Sequence, residues 1–399
     1  MIHNQEKSEN FYVFSILWGT ISSCLILIFI KLGVSSQFIF SIKDIIIYFY
    51  AFFIYEIWIY NKKRLYIAVI IIFFLITLII NYLLLNIEYI APVNNIRQII
   101  APIIMFYIYT GIQLSEESLK KINKYLYFSI VFIFVFGVFE QTYQLWEKIN
   151  LSDFFYLKNI LVNENGLSYM FYEPMFENRR RMVSVFLDPI SLGHFYATLG
   201  SYIFYLKNKN KIQKRIFYIC VFGLCLCLSK GAILQFIICI FFFNKKFSSL
   251  LKLFIIVLFF FILEKTLVNI NVSGIIIHIN GFISITDSLT FFGNGIGTAG
   301  NYSSMFSNQS LKLDIGDSYI GSLIGQIGIF GVSIWIILMC IIIHFSISDR
   351  ESKKVALKLF FSIFLISILS ENTMNVTSFL FPCIIISLCI NTNKNSLRL

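Results

Sequence analysis

Charged residues are scarce in this 399-residue chain. Asp, Glu, Lys and Arg make up 13% of it, whereas soluble globular domains carry about 25%. No polar stretch is longer than a large loop, which argues against a separate soluble domain, and internal repeats of fixed period are also lacking. The eight cysteines form no CxxC pair and no spacing typical of a metal site. We therefore expect them to be small packing residues rather than disulfides or ligands.

Apolar residues, by contrast, are abundant: they account for 58% of the chain, and the mean hydropathy is +0.80. About 20 apolar residues cross a bilayer as a helix, so the long Ile, Phe and Leu runs predict an all-α polytopic integral membrane protein with about twelve transmembrane helices. Ser229-Lys230-Gly231 interrupts the run 216–244, which is either two tilted helices or one broken helix. The predicted spans are 11–30, 44–60, 65–86, 96–111, 123–143, 189–206, 216–229, 231–244, 250–264, 317–343, 356–371 and 376–391.

The loop charges predict the orientation, because Lys and Arg in short loops mark the cytoplasmic side of a membrane. With the N-terminus inside, every inner loop is basic, and these loops hold most of the 32 Lys and Arg residues. This pattern accounts for the net charge of +11, which therefore does not indicate nucleic-acid binding. We expect a single membrane domain over 1–399 with a retained first helix, cytoplasmic termini and two long outer loops, about 144–188 and 265–316.

Arg179-Arg180-Arg181 is the exception to this charge rule, because it lies in the outer loop 144–188. Guanidinium groups bind phosphate oxygens bidentately and stay charged at any usable pH, so the cluster predicts an anion site. Asp188-Pro189 follows, and this pair favours the start of the sixth span with Arg181 near the membrane surface. A solvated basic loop ahead of an ordinary capped helix is the alternative.

Other ionisable residues in or beside predicted spans are costly in hydrocarbon and are usually functional or paired. Arg97 is either a phosphate or carboxylate contact or an interfacial anchor, and Glu140 either pairs with an arginine or acts as a base. Lys230 is predicted to lie near the arginine loop, as an anion ligand or as a helix-turn lysine. His194, one turn into the sixth span, fits a hydrogen-bonded core histidine better than a catalytic one.

The second outer loop contains Phe292-Gly293-Asn-Gly295-Ile-Gly297. This repeat resembles a phosphate-cradling loop, but no strand precedes it, and the glycines could equally serve a tight turn. Asp317-Ser-Tyr319 follows at the start of the tenth span. Asp317 is a candidate general base or a helix cap.

The order of these motifs resembles that of a known family. Over residues 90–345 the chain is similar to the O-antigen polymerase/ligase superfamily, and most of all to its Wzy-type polymerases. The motifs that carry the resemblance are Arg181-x-x-Ser184-x-Phe186-x-Asp188-Pro189, Leu228-Ser229-Lys230-Gly231-Ala232, the Gly293-x-Gly295-x-Gly297 loop, Asp317-Ser-Tyr319 and Gly328-Ile-Phe-Gly331.

The resemblance implies a GT-C-like glycosyltransferase of the bacterial inner membrane that works at the periplasmic face. It implies transfer of an oligosaccharide from an undecaprenyl-diphosphate carrier to the outer sugar of another carrier-bound repeat unit. A base for the acceptor hydroxyl would be Asp317 or Glu140. No metal or other cofactor is expected, and chain-length control would need a partner, such as a regulator of the Wzz type. The cations expected to stabilise the leaving diphosphate are Arg181, Arg180, Arg179, Lys230 and Arg97.

Two departures from the family pattern bear on these expectations. The family often has Ser-Arg-Gly where this chain has Ser229-Lys230-Gly231, and lysine keeps the charge but loses the bidentate fork. Ligases usually carry a histidine at the position of Asp317, which favours a polymerase over an O-antigen ligase. A lipid-linked sugar flippase or other transporter is the alternative from a different class, although transporters tend to show internal repeats.

Overall fold

The computed structural model describes residues 2–54, 62–84, 90–173, 178–207, 209–242, 289–300, 303, 318–346, 350–374 and 376–392. Within these ranges the chain is mostly helical, with eleven helices of eight or more residues. A π-helical turn over Ile238–Phe242 continues the eighth of them. The helices are α1 (Ile2–Lys31), α2 (Ile42–Phe53), α3 (Lys62–Leu84), α4 (Ile90–Gly111), α5 (Glu116–Tyr143), α6 (Pro189–Tyr205), α7 (Lys211–Cys227), α8 (Lys230–Ile237), α9 (Tyr319–Ser346), α10 (Arg350–Ser367) and α11 (Val376–Asn391).

Eleven of the predicted spans overlap these helices within the described residues. The span predicted at 250–264 lies outside the described residues, as do Asp317 and most of the predicted loop 265–316. By length and composition, three described helices are suited to crossing a membrane: Gln5–Lys31, Glu116–Tyr143 and Tyr319–Ser346. The prediction of an all-α chain with membrane-type helices is therefore confirmed.

The flanks of the bundle expose large apolar side chains. Phe52 on α2, Phe73 on α3, Phe128 on α5 and Phe222 on α7 are each more than 60% exposed. Soluble monomers rarely carry extended apolar patches of this kind. Lipid tails would solvate such a surface at no cost, which agrees with the composition.

Helix α6 lies at the centre, packed against α7, α8 and α11 and buried along almost its whole length. Glycines allow this close approach. A Cβ on Gly193 would lie 2.9 Å from that of Ala232, and one on Gly223 would lie 2.6 Å from the ring of Tyr196. Small residues serve membrane helix packing in this way, because they let backbones approach and dispersion contacts accumulate.

Helices α7 and α8 form a hairpin, so the run 216–244 is two helices rather than one broken helix. Leu228 adopts a left-handed conformation with φ of 48° and ends α7. A Cβ on Gly200 would contact both Cys220 of α7 and Phe236 of α8, so the two arms lie side by side on α6. The hairpin tip meets the first turn of α6, where Gly193 lies against Ser229.

The predicted outer loop 144–188 is folded rather than extended. It contains two short helices, Leu145–Ile149 and Ser152–Tyr156, and an antiparallel pair of strands, β1 (Tyr172–Glu173) and β2 (Arg179–Arg180). Its aromatic side chains form a separate apolar cluster on the last turns of α1. This cluster holds the loop over one end of the bundle and thereby positions its charged residues. The buried members of the cluster are Ile26, Leu27, Ile30, Ile39, Trp146, Leu151, Phe154, Phe155, Leu167, Phe171, Val183 and Leu187.

Candidate functional site

The three consecutive arginines have different environments. Successive side chains of an extended segment point to opposite sides, and Arg180 turns toward the end of α5. Its guanidinium forms an ion pair with the fully buried Glu140 and lies 3.2 Å from Glu147 Oε1. It also donates to the carbonyl oxygens of Glu140 and Gln141 at 3.3 and 3.1 Å. Glu140 was expected either to pair with an arginine or to act as a base, and the structure shows the pair with an arginine.

Arg181 is buried and joins the loop to the helical hairpin. Its Nε donates to the carbonyl oxygen of Cys227 at 2.9 Å, and its Nη1 donates to that of Met170 at 3.3 Å. The Met182 amide donates to Leu226 O at 2.9 Å beside it. Burial lowers the pKa of Arg181, and the Glu173 and Asp188 carboxylates raise it. The predicted proximity of the arginine loop and the 228–231 segment is confirmed.

Glu173 connects two of the predicted cations. Its Oε1 lies 2.9 Å from Lys230 Nζ, and its Oε2 lies 3.9 Å from Arg181 Nη1. The side chain of Lys230 is 55% exposed, whereas that of Glu173 is 6% exposed. Arg179 is exposed and stands opposite Glu173 in the β1–β2 ladder. We refer to Glu173, Arg179, Arg181 and Lys230 as the hairpin-tip cluster.

Asp188 begins the central helix, as predicted. Its Oδ1 accepts from the Ile190 amide at 2.9 Å and its Oδ2 from the Ser191 amide at 3.2 Å, with Pro189 in the first turn. The carboxylate raises the pKa values of both Arg181 and Lys158. Asp188 is therefore within electrostatic range of two separate groups of cations.

Arg97 belongs to the second of these groups. It forms an ion pair with Asp44 of α2 and donates to the carbonyl oxygen of Phe40 at 3.3 Å. Lys43, next to Asp44, is buried, and its Nζ donates to Ser23 Oγ at 2.7 Å. Sequence reasoning placed Arg97 with Arg181, but these contacts place it with Lys43 and Asp44.

The glycine loop packs against a break in α9, where Gly328 has φ of 68°. The amides of Asn294 and Gly295 donate to the carbonyl oxygens of Gly325 and Gln326, at 2.8 and 3.1 Å. The Gly297 amide donates to Gln326 Oε1 at 3.0 Å. These amides are occupied by protein acceptors, so the structure supports the tight-turn alternative over a phosphate cradle.

The remaining candidates divide between described and undescribed residues. His194 Nδ1 lies 2.6 Å from Gln235 Oε1, which confirms a hydrogen-bonded core histidine. Tyr319 is buried and donates to Gln98 O at 3.0 Å. Asp317 lies outside the described residues, so its role as base or cap stays a prediction. Within the described ranges, no group of three or more His, Cys, Asp or Glu side chains is arranged to hold a metal ion.

Three buried carboxylates were missed by sequence reasoning: Asp44, the partner of Arg97, and also Glu173 and Glu371. Glu173 stands six residues before Arg179, and this spacing across a short polar segment was the available signal for a strand pair. Glu371 is 1% exposed and accepts from Gln98 Nε2 at 2.9 Å. It was assigned to the end of a predicted span, although the polar sequence Ser370-Glu371-Asn372-Thr373 marks a turn.

Comparisons of the chain with protein-family models, with characterised proteins and with solved structures return no match. The fold and the site define a helical, membrane-type protein that carries paired charges at one end of its bundle. The case for its function therefore rests on the residues and their geometry.

Proposed function

We propose that the chain is a membrane glycosyltransferase, a Wzy-type O-antigen polymerase that joins undecaprenyl-diphosphate-linked oligosaccharide repeat units. In this proposal it crosses the bacterial inner membrane about twelve times in a GT-C-like arrangement. The hairpin-tip cluster then faces the periplasm, where the substrates are presented.

The observation that supports this proposal is the convergence of Lys230 and Arg181 on one carboxylate at the end of the bundle. Donors that surround a carboxylate also suit phosphate oxygens, because both ligands present anionic oxygens that accept charge-assisted hydrogen bonds. Lys230 and Arg179 are exposed, so a diphosphate can reach them. Arg181 is buried, and it acts by holding Glu173 and the hairpin tip in position.

The proposed reaction is a displacement at the anomeric carbon of the donor glycan. An acceptor sugar hydroxyl attacks this carbon, the bond from carbon to the diphosphate oxygen breaks, and the diphosphate leaves with the electron pair. Fixed cations stabilise the charge that develops on the leaving group. The hydroxyl proton passes to a base, for which we propose Asp317, because the Glu140 carboxylate is engaged by Arg180.

A flippase or other transporter is the alternative from a different class. The break in α9 at Gly328 is of a kind that transporters use to expose backbone groups to a substrate. Here the amides of the glycine loop bond to Gly325 and Gln326 beside the break, which favours a structural role. An O-antigen ligase would differ only in its acceptor.

Deletion of the gene in the bacterium that carries it tests the proposal, with lipopolysaccharide displayed as a ladder on a gel. Loss of all long chains, with one repeat unit still attached to the lipid core, supports a polymerase. Loss of even the single repeat indicates a ligase or flippase, and an unchanged ladder overturns the assignment. Complementation with the wild-type chain must restore the ladder.

A further inference from the structure

A second group of cations lies at the start of α2 and in the folded loop, away from the hairpin-tip cluster. Lys43 is 8% exposed, and its ammonium donates to the neutral hydroxyl of Ser23. Its carbonyl oxygen accepts from Trp18 Nε1 at 3.0 Å, which fixes the start of α2 at this point. The neighbouring Asp44 is paired with Arg97. Lys43 and Arg97 therefore lie in a buried place with one carboxylate, which is paired with Arg97.

Lys158 of the folded loop adds a third cation. Its Nζ lies 4.9 Å from the ring centroid of Phe40 and 4.2 Å from that of Phe154. Phe40 also accepts from Arg97 through its carbonyl oxygen, so both cations contact the same residue, Lys158 at the ring and Arg97 at the backbone. Aromatic faces attract an ammonium and fix its position without neutralising it.

The charges in this group do not balance. Among the described residues, neither Lys43 nor Lys158 forms an ion pair, and Asp188 uses both carboxylate oxygens to cap α6. Burial lowers the pKa of Lys158 to about 8, and Asp188 compensates only in part. Buried charges without a counter-charge are costly, so a bound anion would stabilise the group.

We propose that Lys43, Arg97 and Lys158 form a second oxyanion site, which binds the phosphate group of a lipid. The site shares no residue with the hairpin-tip cluster. Its ligand assignment rests on the proposed function: joining two carrier-bound units requires two lipid diphosphates at once. The hairpin-tip cluster then holds one diphosphate, and the second site holds the other. A phospholipid headgroup offers the same chemistry.

The first experiment uses the purified full chain in detergent micelles and inorganic pyrophosphate as the probe, measured by isothermal titration calorimetry. We expect two binding sites in the wild-type protein. Lys158→Gln is expected to lower the pyrophosphate affinity of one site at least tenfold and to leave the other site unchanged. Lys230→Gln is expected to weaken that other site instead. The matched control is Lys148→Gln, an exposed lysine of the same loop, which leaves both sites unchanged. A single site that depends on Lys230 alone overturns the inference.

A second experiment needs no substitution, so it stands even if a variant fails to fold. The wild-type chain is acetylated in the presence and absence of pyrophosphate, and modification is read by peptide mass spectrometry. Pyrophosphate is expected to slow the modification of Lys158 at least tenfold and not that of Lys148. Equal rates at Lys158 with and without any phosphate ligand overturn the inference.

Nanodiscs distinguish the two sources of phosphate. Both kinds of disc are first compared without pyrophosphate. Protection of Lys158 in phosphatidylglycerol discs but not in phosphatidylcholine discs then assigns the site to an anionic phospholipid. Protection by pyrophosphate in both kinds of disc assigns it to a carrier diphosphate. The lipopolysaccharide ladder of the deletion strain separates this inference from the proposed function. If Lys158 is protected but the ladder is unchanged, the phosphate site is supported and the polymerase assignment is overturned.

Discussion

Lys230 Nζ lies 2.9 Å from Glu173 Oε1, although the central helix α6 and the first arm of the hairpin separate the two residues in sequence. The contact joins the tip of the α7–α8 hairpin to strand β1 of the folded loop. It leaves Lys230 more than half exposed while Glu173 is buried. An exposed cation held by a buried carboxylate is available to a ligand without being free to move away.

Substitution of Lys230 tests whether the charge or the particular group matters. Lys230→Arg is expected to keep polymer formation, because arginine keeps the charge and adds a bidentate fork. Lys230→Gln is expected to reduce polymer at least tenfold, since the leaving diphosphate loses an exposed cation. The measurement is the ladder in the deletion strain with protein amounts matched. Normal ladders from Lys230→Gln would remove Lys230 from the site.

Glu173→Gln removes the carboxylate that competes with an incoming anion. We expect the affinity of the Lys230 site for pyrophosphate to rise about fivefold, which is roughly 1 kcal/mol. The melting temperature should fall, because the buried guanidinium of Arg181 loses its counter-charge. The control is Glu164→Gln, an exposed residue of the same loop. Unchanged or weaker pyrophosphate binding in Glu173→Gln would mean that Glu173 does not compete with the ligand.

The Arg180–Glu140 pair is expected to be structural. Arg180→Met leaves the carboxylate of Glu140 buried without a counter-charge and should cost about 3–5 kcal/mol. The double variant Arg180→Met/Glu140→Gln removes both charges and should recover most of the loss. Thermal unfolding in micelles measures the stability of the single and the double variant, and Arg179→Met, at an exposed arginine, is the control. Equal melting of Arg180→Met and Arg179→Met would contradict a structural role.

The cap at Asp188 separates a backbone effect from a charge effect. Asp188→Ala should destabilise the chain by about 0.5–2 kcal/mol, because the first amides of α6 lose their acceptor. Asp188→Asn keeps a good cap and should retain most of that stability. It also removes a negative charge that acts on Arg181 and on Lys158, so pyrophosphate should bind this variant more tightly than the wild type. Equal destabilisation by both substitutions would show that the charge, not the cap, stabilises this end.

Lys158 predicts a pH dependence of stability. Burial lowers its pKa from 10.5 to about 8, so between these values the unfolded chain holds a proton that the folded chain lacks. The free energy of unfolding therefore rises with pH across this window. At pH values below the window the lysine is protonated in both states, and the full cost of the buried ammonium lowers stability. The difference in melting temperature between wild type and Lys158→Gln, measured from pH 7 to 10, isolates this lysine. A difference independent of pH would contradict the lowered pKa.

Helix positions were predictable from sequence, since each apolar run is long enough to be recognised on its own. The last described helix, Val376–Asn391, coincides with its prediction at 376–391. The first helix begins earlier than the predicted residue 11, because its polar first turns carry no apolar signal. The folded loop 144–188 was not predicted as a structured unit, because its aromatic residues are scattered and cluster only in three dimensions.

Partners of the charged residues could not be predicted in the same way. Arg180 and Arg181 are neighbours in sequence, yet one pairs with Glu140 and the other with Cys227 O and Glu173. Their side chains point in different directions because successive residues of an extended segment alternate. The positions of α5 and of the hairpin then determine which partner each side chain contacts. Arg97 reaches Asp44 rather than the arginine loop for the same reason.

The sequence by itself determined a helical, membrane-type chain, the start of α6 at Asp188-Pro189 and the basic character of the 179–181 segment. These features are local: they follow from hydropathy, capping and charge within a few residues. Tertiary structure decided which arginine is buried, that Glu173 holds Lys230, and that Lys43, Arg97 and Lys158 form a group of their own. Those outcomes depend on long-range packing of the loop on α1 and of the hairpin on α6, which no local pattern specifies.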